Sequence, residues 1–493
     1  MGKFYLGSEE LPPRLFSGTI CSSVSDVPDS LSVNDVVFLS WKEKGEFRSA
    51  YPKISDPSIS FVFSNETVNM EDSVTLRKRE AIALEQEDYQ LCKLINEAKI
   101  EHSAIKRRTV LDAFPAELQI ESSNICNAQC IMCDHFFRQG KAAIGKCRPD
   151  IMDRLEFMFP YVRTIYLHGN GEPFLATSLP DRIREYARYG MRFSTNTNLS
   201  SLADGAIAAI RDNFDEINIS CDAATASTYE YIRRGLSFET FKSNCRRLRA
   251  SCPNLFMRME CVVMRQNVRE LQAIVKTAAS LGFDEVRFHE LSPDRRLGNY
   301  RDASSSFPNI ASVSLEEAIA AGAELGLIVS PPSYPPPNSQ ELAFELEQFD
   351  NEQCFLNNMQ LESLKERLAA EDENATTDYL EIGHRSIPMV ANASVSGICD
   401  WCIERPFVSL DGTVSLCCVN RYVALGNIFE SDFADIWNSA AARAVRSAFF
   451  EGSIPYFCSG CEFVLHGMLR YVSAIDAAKL RKKIFLGNNS HAM

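Results

Sequence analysis

The feature that most constrains this chain is Cys126-Asn127-Ala128-Gln129-Cys130-Ile131-Met132-Cys133, three cysteines spaced C-x3-C-x2-C inside eight residues. Thiolates so close together suit one compact soft-metal centre, because sulfur is the donor that zinc and iron–sulfur clusters select. A closed zinc or ferredoxin site takes four protein ligands, and no fourth cysteine stands near these three unless Cys147 reaches back. A coordination position is therefore left open. Free cysteine is commonly a small core residue, but it seldom occurs three times in one turn-rich loop.

The rest of the chain narrows the setting. At 493 residues it exceeds what one hydrophobic core spans, and about three domains are expected. Its 51 basic and 65 acidic residues leave a formal charge of -14, which repels phosphate backbones and argues against nucleic acid as a partner. Residues 1–16 lack the apolar core of a signal peptide, and no window reaches the ~18 uncharged apolar residues of a membrane span. A cytoplasmic chain without a membrane partner is expected. Seventeen cysteines in such a chain point to metal and redox chemistry rather than disulfides, since cytosolic thiols are kept reduced. Three cluster at 126–133 and six at 399–461.

Residues 1–112 read as a small α+β module, with strand-like runs Asp35–Trp41 and Ile59–Phe63 before a charge-rich helical run near Arg77–Ala98. Its role is either to cover a face of the next domain or to recognise a substrate or partner. From Ala116 a strand-then-helix rhythm repeats six times, with strands near 116–121, 164–169, 191–196, 216–222, 255–264 and 285–291. This alternation implies a parallel sheet whose functional residues gather at the C-terminal strand ends. Asn267–Glu270 and Ser314–Glu317 have capping-box form and are expected to start helices. Arg258 and Glu260 share one face of the fifth strand, as Arg287 and His289 share one face of the sixth. These faces either look inward, where they would meet a substrate, or lie beneath helices.

The cysteine motif after the first strand, with Gly169-Asn170-Gly171-Glu172-Pro173 after the second, resembles the radical S-adenosylmethionine (SAM) superfamily over roughly residues 114–330. The resemblance implies an α/β core at 113–330, a partial (β/α)6 TIM-like barrel. There Cys126, Cys130 and Cys133 hold a four-iron, four-sulfur cluster and SAM chelates the open iron. It also implies a low-potential electron donor such as flavodoxin or ferredoxin. Carried onto matching residues, Glu172 accepts from the SAM ammonium while Gly171 lets backbone approach. Asn196, Ser220 and Asp222 lie at strand ends that meet ribose or methionyl atoms, and Arg233 pairs with the SAM carboxylate. Asp222 also suits a helix cap.

After 330 a proline run, Pro331-Pro332-Ser333-Tyr334-Pro335-Pro336-Pro337, opens a linker with an acidic helical insertion, 331–398. In the last domain, 399–493, Cys402, Gly412 and Cys417 read C-x9-G-x4-C, followed by Cys458-Ser459-Gly460-Cys461. Leu410-Asp411-Gly412-Thr413-Val414 reads as a hairpin turn, with Gly426-Asn427-Ile428 and Asp435-Ile436-Trp437-Asn438 beyond. These motifs resemble SPASM and Twitch auxiliary-cluster domains, implying one further 4Fe-4S cluster on Cys402, Cys417, Cys458 and Cys461, with Cys399 and Cys418 as near-equivalent substitutes. A structural zinc site fits the same pairs. The remaining cysteines, 21, 92, 147, 221, 245, 252, 261 and 354, are expected to pack.

The function that the resemblance implies is reductive cleavage of SAM to a 5'-deoxyadenosyl radical, followed by hydrogen abstraction from a substrate carbon. The substrate expected is a small polyol, sugar or amino-sugar, oxidised by two electrons with His289 or Glu260 taking the proton. Cross-linking, oxidation or epimerisation of a peptide is the alternative, and a non-catalytic electron carrier a distant third.

Overall fold

The computed structural model describes residues 80–133, 149–291, 299–332, 336–350, 398–418 and 424–455, short segments at 3–6, 19–21, 36–39, 378–382, 385–390 and 469–470, and residues 135, 334 and 458. The run Ile59–Phe63, most of the acidic segment after Asp350, and Cys147, Cys354 and Cys461 lie outside them. The chain divides into two compact units, 1–86 and 87–493. In the first, strands β1 (Lys3–Leu6), β2 (Thr19–Cys21) and β3 (Val36–Leu39) pair in parallel in the order β2-β1-β3.

The second unit opens with helix Tyr89–Ile105, whose first turn Asp88 caps by accepting from Leu91 N at 3.0 Å. The strand–helix rhythm then emerges as β4 (Glu117–Ile120), β5 (Gln129–Cys130), β6 (Thr164–Tyr166), β7 (Arg192–Ser194), β8 (Asn196–Thr197), β9 (Glu216–Ser220), β10 (Arg233–Arg234), β11 (Phe256–Val263), β12 (Glu285–Glu290) and β13 (Ile328–Ser330). β4, β6 and β7 pair in parallel, as do β8, β9, β11, β12 and β13. One run of chain, Arg192–Thr197, serves both sheets and joins them through a parallel bridge from Phe193 to Phe214.

Alternation decides the two faces. Ile217, Ile219, Met257, Met259, Cys261, Val263, Val286 and Phe288 pack in one apolar core with helix residues such as Phe241, Leu271, Ile274 and Leu315. Asn196, Asn218, Ser220, Arg258, Glu260, Arg287 and His289 therefore all occupy the face turned away from these helices, aligned by the register Arg258–Asn218, Glu260–Ser220, Glu260–Arg287 and Asn196–Asn218. Glu290 falls on the other parity. Cys92, Cys221, Cys245, Cys252 and Cys261 are buried packing residues as expected.

Neither capping box forms. Pro308 starts its helix six residues before Ser314, which becomes an interior residue of Pro308–Leu325. Asn267 is fully buried and turns inward, its amide donating to Asp222 O and Val262 O, while Glu270 accepts from the amides of Ala224 and Thr225.

Toward the C-terminus the described strands are β14 (Asp378–Ile382), β15 (Arg385–Val390), β16 (Ile398–Cys399), β17 (Phe407–Val408), β18 (Thr413–Ser415), β19 (Ala424–Asn427), β20 (Ile454–Pro455) and β21 (Leu469–Arg470). β17 and β18 form the expected hairpin. Asp411 accepts from Thr413 N at 3.0 Å, and Gly412 adopts φ +83, a region that suits glycine. β17 also pairs in parallel with β4, so the free edge of the first core strand is taken by the C-terminal domain. Among the described residues no strand pairing closes the two core sheets into a barrel.

A buried ion network fastens this join. Glu117 accepts from Arg163 Nη2 at 3.0 Å and Arg405 Nε at 2.5 Å, and the Arg405 guanidinium lies 4.1 Å from the Tyr166 ring centre. Burial by itself would raise the Glu117 carboxyl, but Arg405 and Arg163 outweigh it and hold it down to about 2. Its folded value lies below its unfolded one, so the associated stability is present above about pH 4.5 and is lost as pH falls toward 2. Glu117→Gln should therefore unfold at lower urea than wild type at pH 7, with the gap narrowing at pH 3. A gap independent of pH would contradict this assignment.

Candidate active site

The cysteine loop is held by two neighbouring segments. Gly171 N donates to Ser123 O at 3.0 Å and Glu172 N to Ile125 O at 2.9 Å, zipping the Gly169–Pro173 loop onto the residues before Cys126. A Cβ on Gly171 would stand 2.5 Å from Ser123 O, which is why only glycine fits. On the other side β5 pairs antiparallel with β10, placing Cys130 opposite Arg233. Ile131 and Met132 pack on a small apolar cluster of Ile232, Met264, Leu291 and Ala303.

Hydrogen-bond donors reach the sulfurs. Arg233 Nη1 lies 3.9 Å from Cys130 Sγ and Asn198 Nδ2 lies 3.9 Å from Cys126 Sγ. Burial raises both thiols, Cys130 to about 11 against the lowering charge of Arg233. Coordination by a metal removes such protons. Arg233 itself is buried and ion-paired with buried Asp222 at 2.6 Å, and Asp222 Oδ1 accepts from Val262 N at 2.8 Å. Asp222 therefore caps no helix, and its carboxyl is raised by burial against the pull of Arg233 and Val262. Next to Arg233, Tyr229 is buried with its hydroxyl unpartnered among the described residues.

Glu172 is buried, accepting from Thr197 Oγ1 at 2.5 Å, Asn198 N at 2.7 Å and Phe174 N at 3.3 Å. Burial nevertheless pushes it up to about 7. Asn196, by contrast, is exposed on the polar face, where it accepts from Asn218 Nδ2 at 2.9 Å. It is Asn198 that reaches the cysteine loop. The sequence repeats itself here, Thr195-Asn196-Thr197-Asn198, and spacing alone does not separate the two pairs.

On the polar face His289 Nε2 and Glu260 Oε2 are 2.5 Å apart, with Arg287 Nη1 3.8 Å from the other Glu260 oxygen. Arg258 is locked by Glu285 at 2.6 Å and Asn218 at 2.8 Å. His289 stands opposite Val262, whose N–H donates to Asp222, so the dyad and the cysteine loop share one end of the sheet.

A second thiol group forms in the C-terminal region. The Cys402 and Cys399 thiols are hydrogen-bonded to each other, and Cys458 and Cys417 lie within electrostatic reach of Cys402. Cys461 lies outside the described residues. Among those residues no three candidate ligands converge on a single ion. A cluster spreads its ligands over separate irons, so the thiols need only surround it. The soft donors at both sites fit iron–sulfur clusters.

A model of the radical SAM superfamily matches residues 120–278, and a model of the SPASM iron–sulfur cluster-binding domain matches residues 399–462. The chain holds a radical SAM domain followed by a SPASM domain. The first implies a 4Fe-4S cluster and SAM, the second auxiliary iron–sulfur. This radical SAM–SPASM chain is 26% identical over 186 residues to the tungsten-containing aldehyde ferredoxin oxidoreductase cofactor-modifying protein of Pyrococcus furiosus, across 36% of this chain and 51% of that protein. It spans about half the length of that curated relative. Similar solved structures include Streptococcus suis SuiB bound to precursor peptide SuiA, at 12% identity, TM-score 0.49 and coverage of 78% of this chain and 81% of that one. BtrN in complex with AdoMet and 2-DOIA has 14% identity, TM-score 0.31 and coverage of 69% and 89%. No described helix is long and apolar enough to cross a membrane.

Proposed function

We propose that this radical SAM–SPASM enzyme oxidises a small polyol, sugar or amino-sugar by two electrons, removing a hydrogen atom from carbon and a proton from its hydroxyl or amine. The observation that carries this reading is the His289–Glu260 pair, set with Arg287 among hydrogen-bonding side chains on the face turned away from the helices. Cys126, Cys130 and Cys133 would hold the SAM-binding cluster, and the auxiliary ligands would come from Cys399, Cys402, Cys417, Cys458 and Cys461. When bound, the clusters and SAM supply a carbon radical able to take a hydrogen atom and an acceptor for the electron left behind.

The chain's own residues do the rest. Glu172, buried and near neutrality, is drawn to its charged form by an arriving ammonium. Gly171, Ser220, Asp222 and Arg233 would meet the methionyl and ribose portions of SAM, Arg233 and Asp222 acting through each other, with Asn198 rather than Asn196 beside the cysteine loop. Arg258, bonded to Glu285, Asn218 and Glu216, is a buried anchor that holds the polar face in place. His289 spends Nε2 on Glu260, so Nδ1 is the nitrogen that receives the substrate proton, and Glu260 stabilises the imidazolium formed.

A peptide substrate is the second reading. The three-stranded sheet of the first unit has edge strands β2 and β3 among the described residues, the element to which an extended leader segment adds. Anaerobic incubation of the holoenzyme with SAM, dithionite and a panel of cyclitols and amino-sugars should yield 5'-deoxyadenosine together with a product two hydrogens lighter. Product formed only from peptides would sink the first reading.

A further inference from the structure

Two buried arginines of the core have a carboxylate within ion-pair distance, Arg233 with Asp222 and Arg258 with Glu285, as do the half-buried Arg163 and Arg405 with Glu117. Among the described residues the third buried arginine, Arg446, has none. It lies on helix Ala440–Phe450, which packs on the Ile398–Cys402 segment, and it is completely buried. Its Nε donates to Cys402 O at 2.9 Å and its Nη1 to Thr109 O at 3.1 Å, with Asn438 Oδ1 at 3.5 Å. The guanidinium lies 4.4 Å from the Trp437 ring centre. Among the described residues Nη2 is buried without an acceptor, and burial works against the guanidinium's charge, opposed by the neighbouring Cys402 sulfur.

Two carbonyls and an aromatic face account for the hydrogen bonds but not for the charge. An isolated buried cation is among the costliest features a fold can carry, so the arrangement implies an anion beside Cys402. A four-iron cluster held by thiolates is net negative in both redox states, and reduction adds one more negative charge. Cluster potentials respond to nearby charge and hydrogen bonding.

We propose that Arg446 is the buried counter-charge of the auxiliary cluster, positioning Cys402 and raising the cluster's reduction potential. This rests on the reading that Cys402 and its neighbouring cysteines ligate that cluster.

The test uses the full chain with Cys126→Ala, Cys130→Ala and Cys133→Ala combined, so that only the auxiliary cluster remains. Iron is counted, and the potential is read by redox titration followed by electron paramagnetic resonance. About four irons per chain should remain. Iron-free protein would overturn the cluster reading and the inference with it. In that background Arg446→Gln, which keeps a donor and loses the charge, should weaken the cluster's hold on its electron at least tenfold, a downward shift of about 59 mV or more. Arg446→Lys should stay near the parent. An unmoved potential in Arg446→Gln at full iron would overturn the counter-charge role and leave the cluster reading intact. If Arg446→Gln fails to retain iron, Arg446→Lys decides. Restored iron uptake supports a charge, whereas failure equal to Gln would show that only the planar fork matters and would overturn the proposal.

Discussion

Cys130→Ala should abolish reductive cleavage of SAM and lower the iron content from about eight to about four per chain. Of the three thiols in the first motif, Cys130 is the one most firmly placed. It sits in β5 opposite Arg233, within 3.9 Å of that guanidinium, while Asp222 holds the arginine from behind. Alanine removes the sulfur without disturbing the backbone pairing, so the loss reports ligation rather than unfolding. A thermal midpoint near wild type, with the auxiliary irons retained, is expected alongside. The readouts are iron and sulfide counts after anaerobic reconstitution and 5'-deoxyadenosine formed per chain. Undiminished cleavage in this variant would remove the site from the account.

His289→Ala should lower product formation by roughly 10²–10⁴-fold, the usual worth of a positioned general base, while 5'-deoxyadenosine still forms. The two outputs separate because His289 belongs to β12 and faces the polar side of the sheet, whereas the cysteine loop is held by β10 and the Gly169–Pro173 segment. Glu260→Gln keeps a partner for Nε2 but removes the charge that stabilises the imidazolium. It should fall between wild type and His289→Ala in kcat with little change in KM. A fall in 5'-deoxyadenosine parallel to the fall in product would show that the pair acts on SAM rather than on substrate.

Much of this arrangement was legible in residue order because it depends on local chemistry. The C-x3-C-x2-C loop follows a strand, the Gly-x-Gly-Glu-Pro loop follows the next, and Asp411-Gly412 turns a hairpin. Period-two alternation placed Arg258 with Glu260 and Arg287 with His289. It left open which side the helices would cover, because that depends on where Met257, Met259 and Phe288 find partners. Ser314 read as a cap and is not one, because Pro308 had already started the helix. Asn196 and Asn198 look alike along the chain, and they differ only in which way the strand turns them.

The sequence by itself determined the chemistry on offer: two groups of soft sulfur donors, one of them short of a ligand, on an alternating α/β frame. Tertiary structure decided who meets whom. Arg405 finds Glu117 across 288 residues, β17 takes the open edge of β4, and Arg446 is buried against Cys402 with no carboxylate among the described residues to balance it. Such contacts leave no local trace, because burial and charge pairing are properties of the surroundings that the folded chain assembles, not of the residues in line.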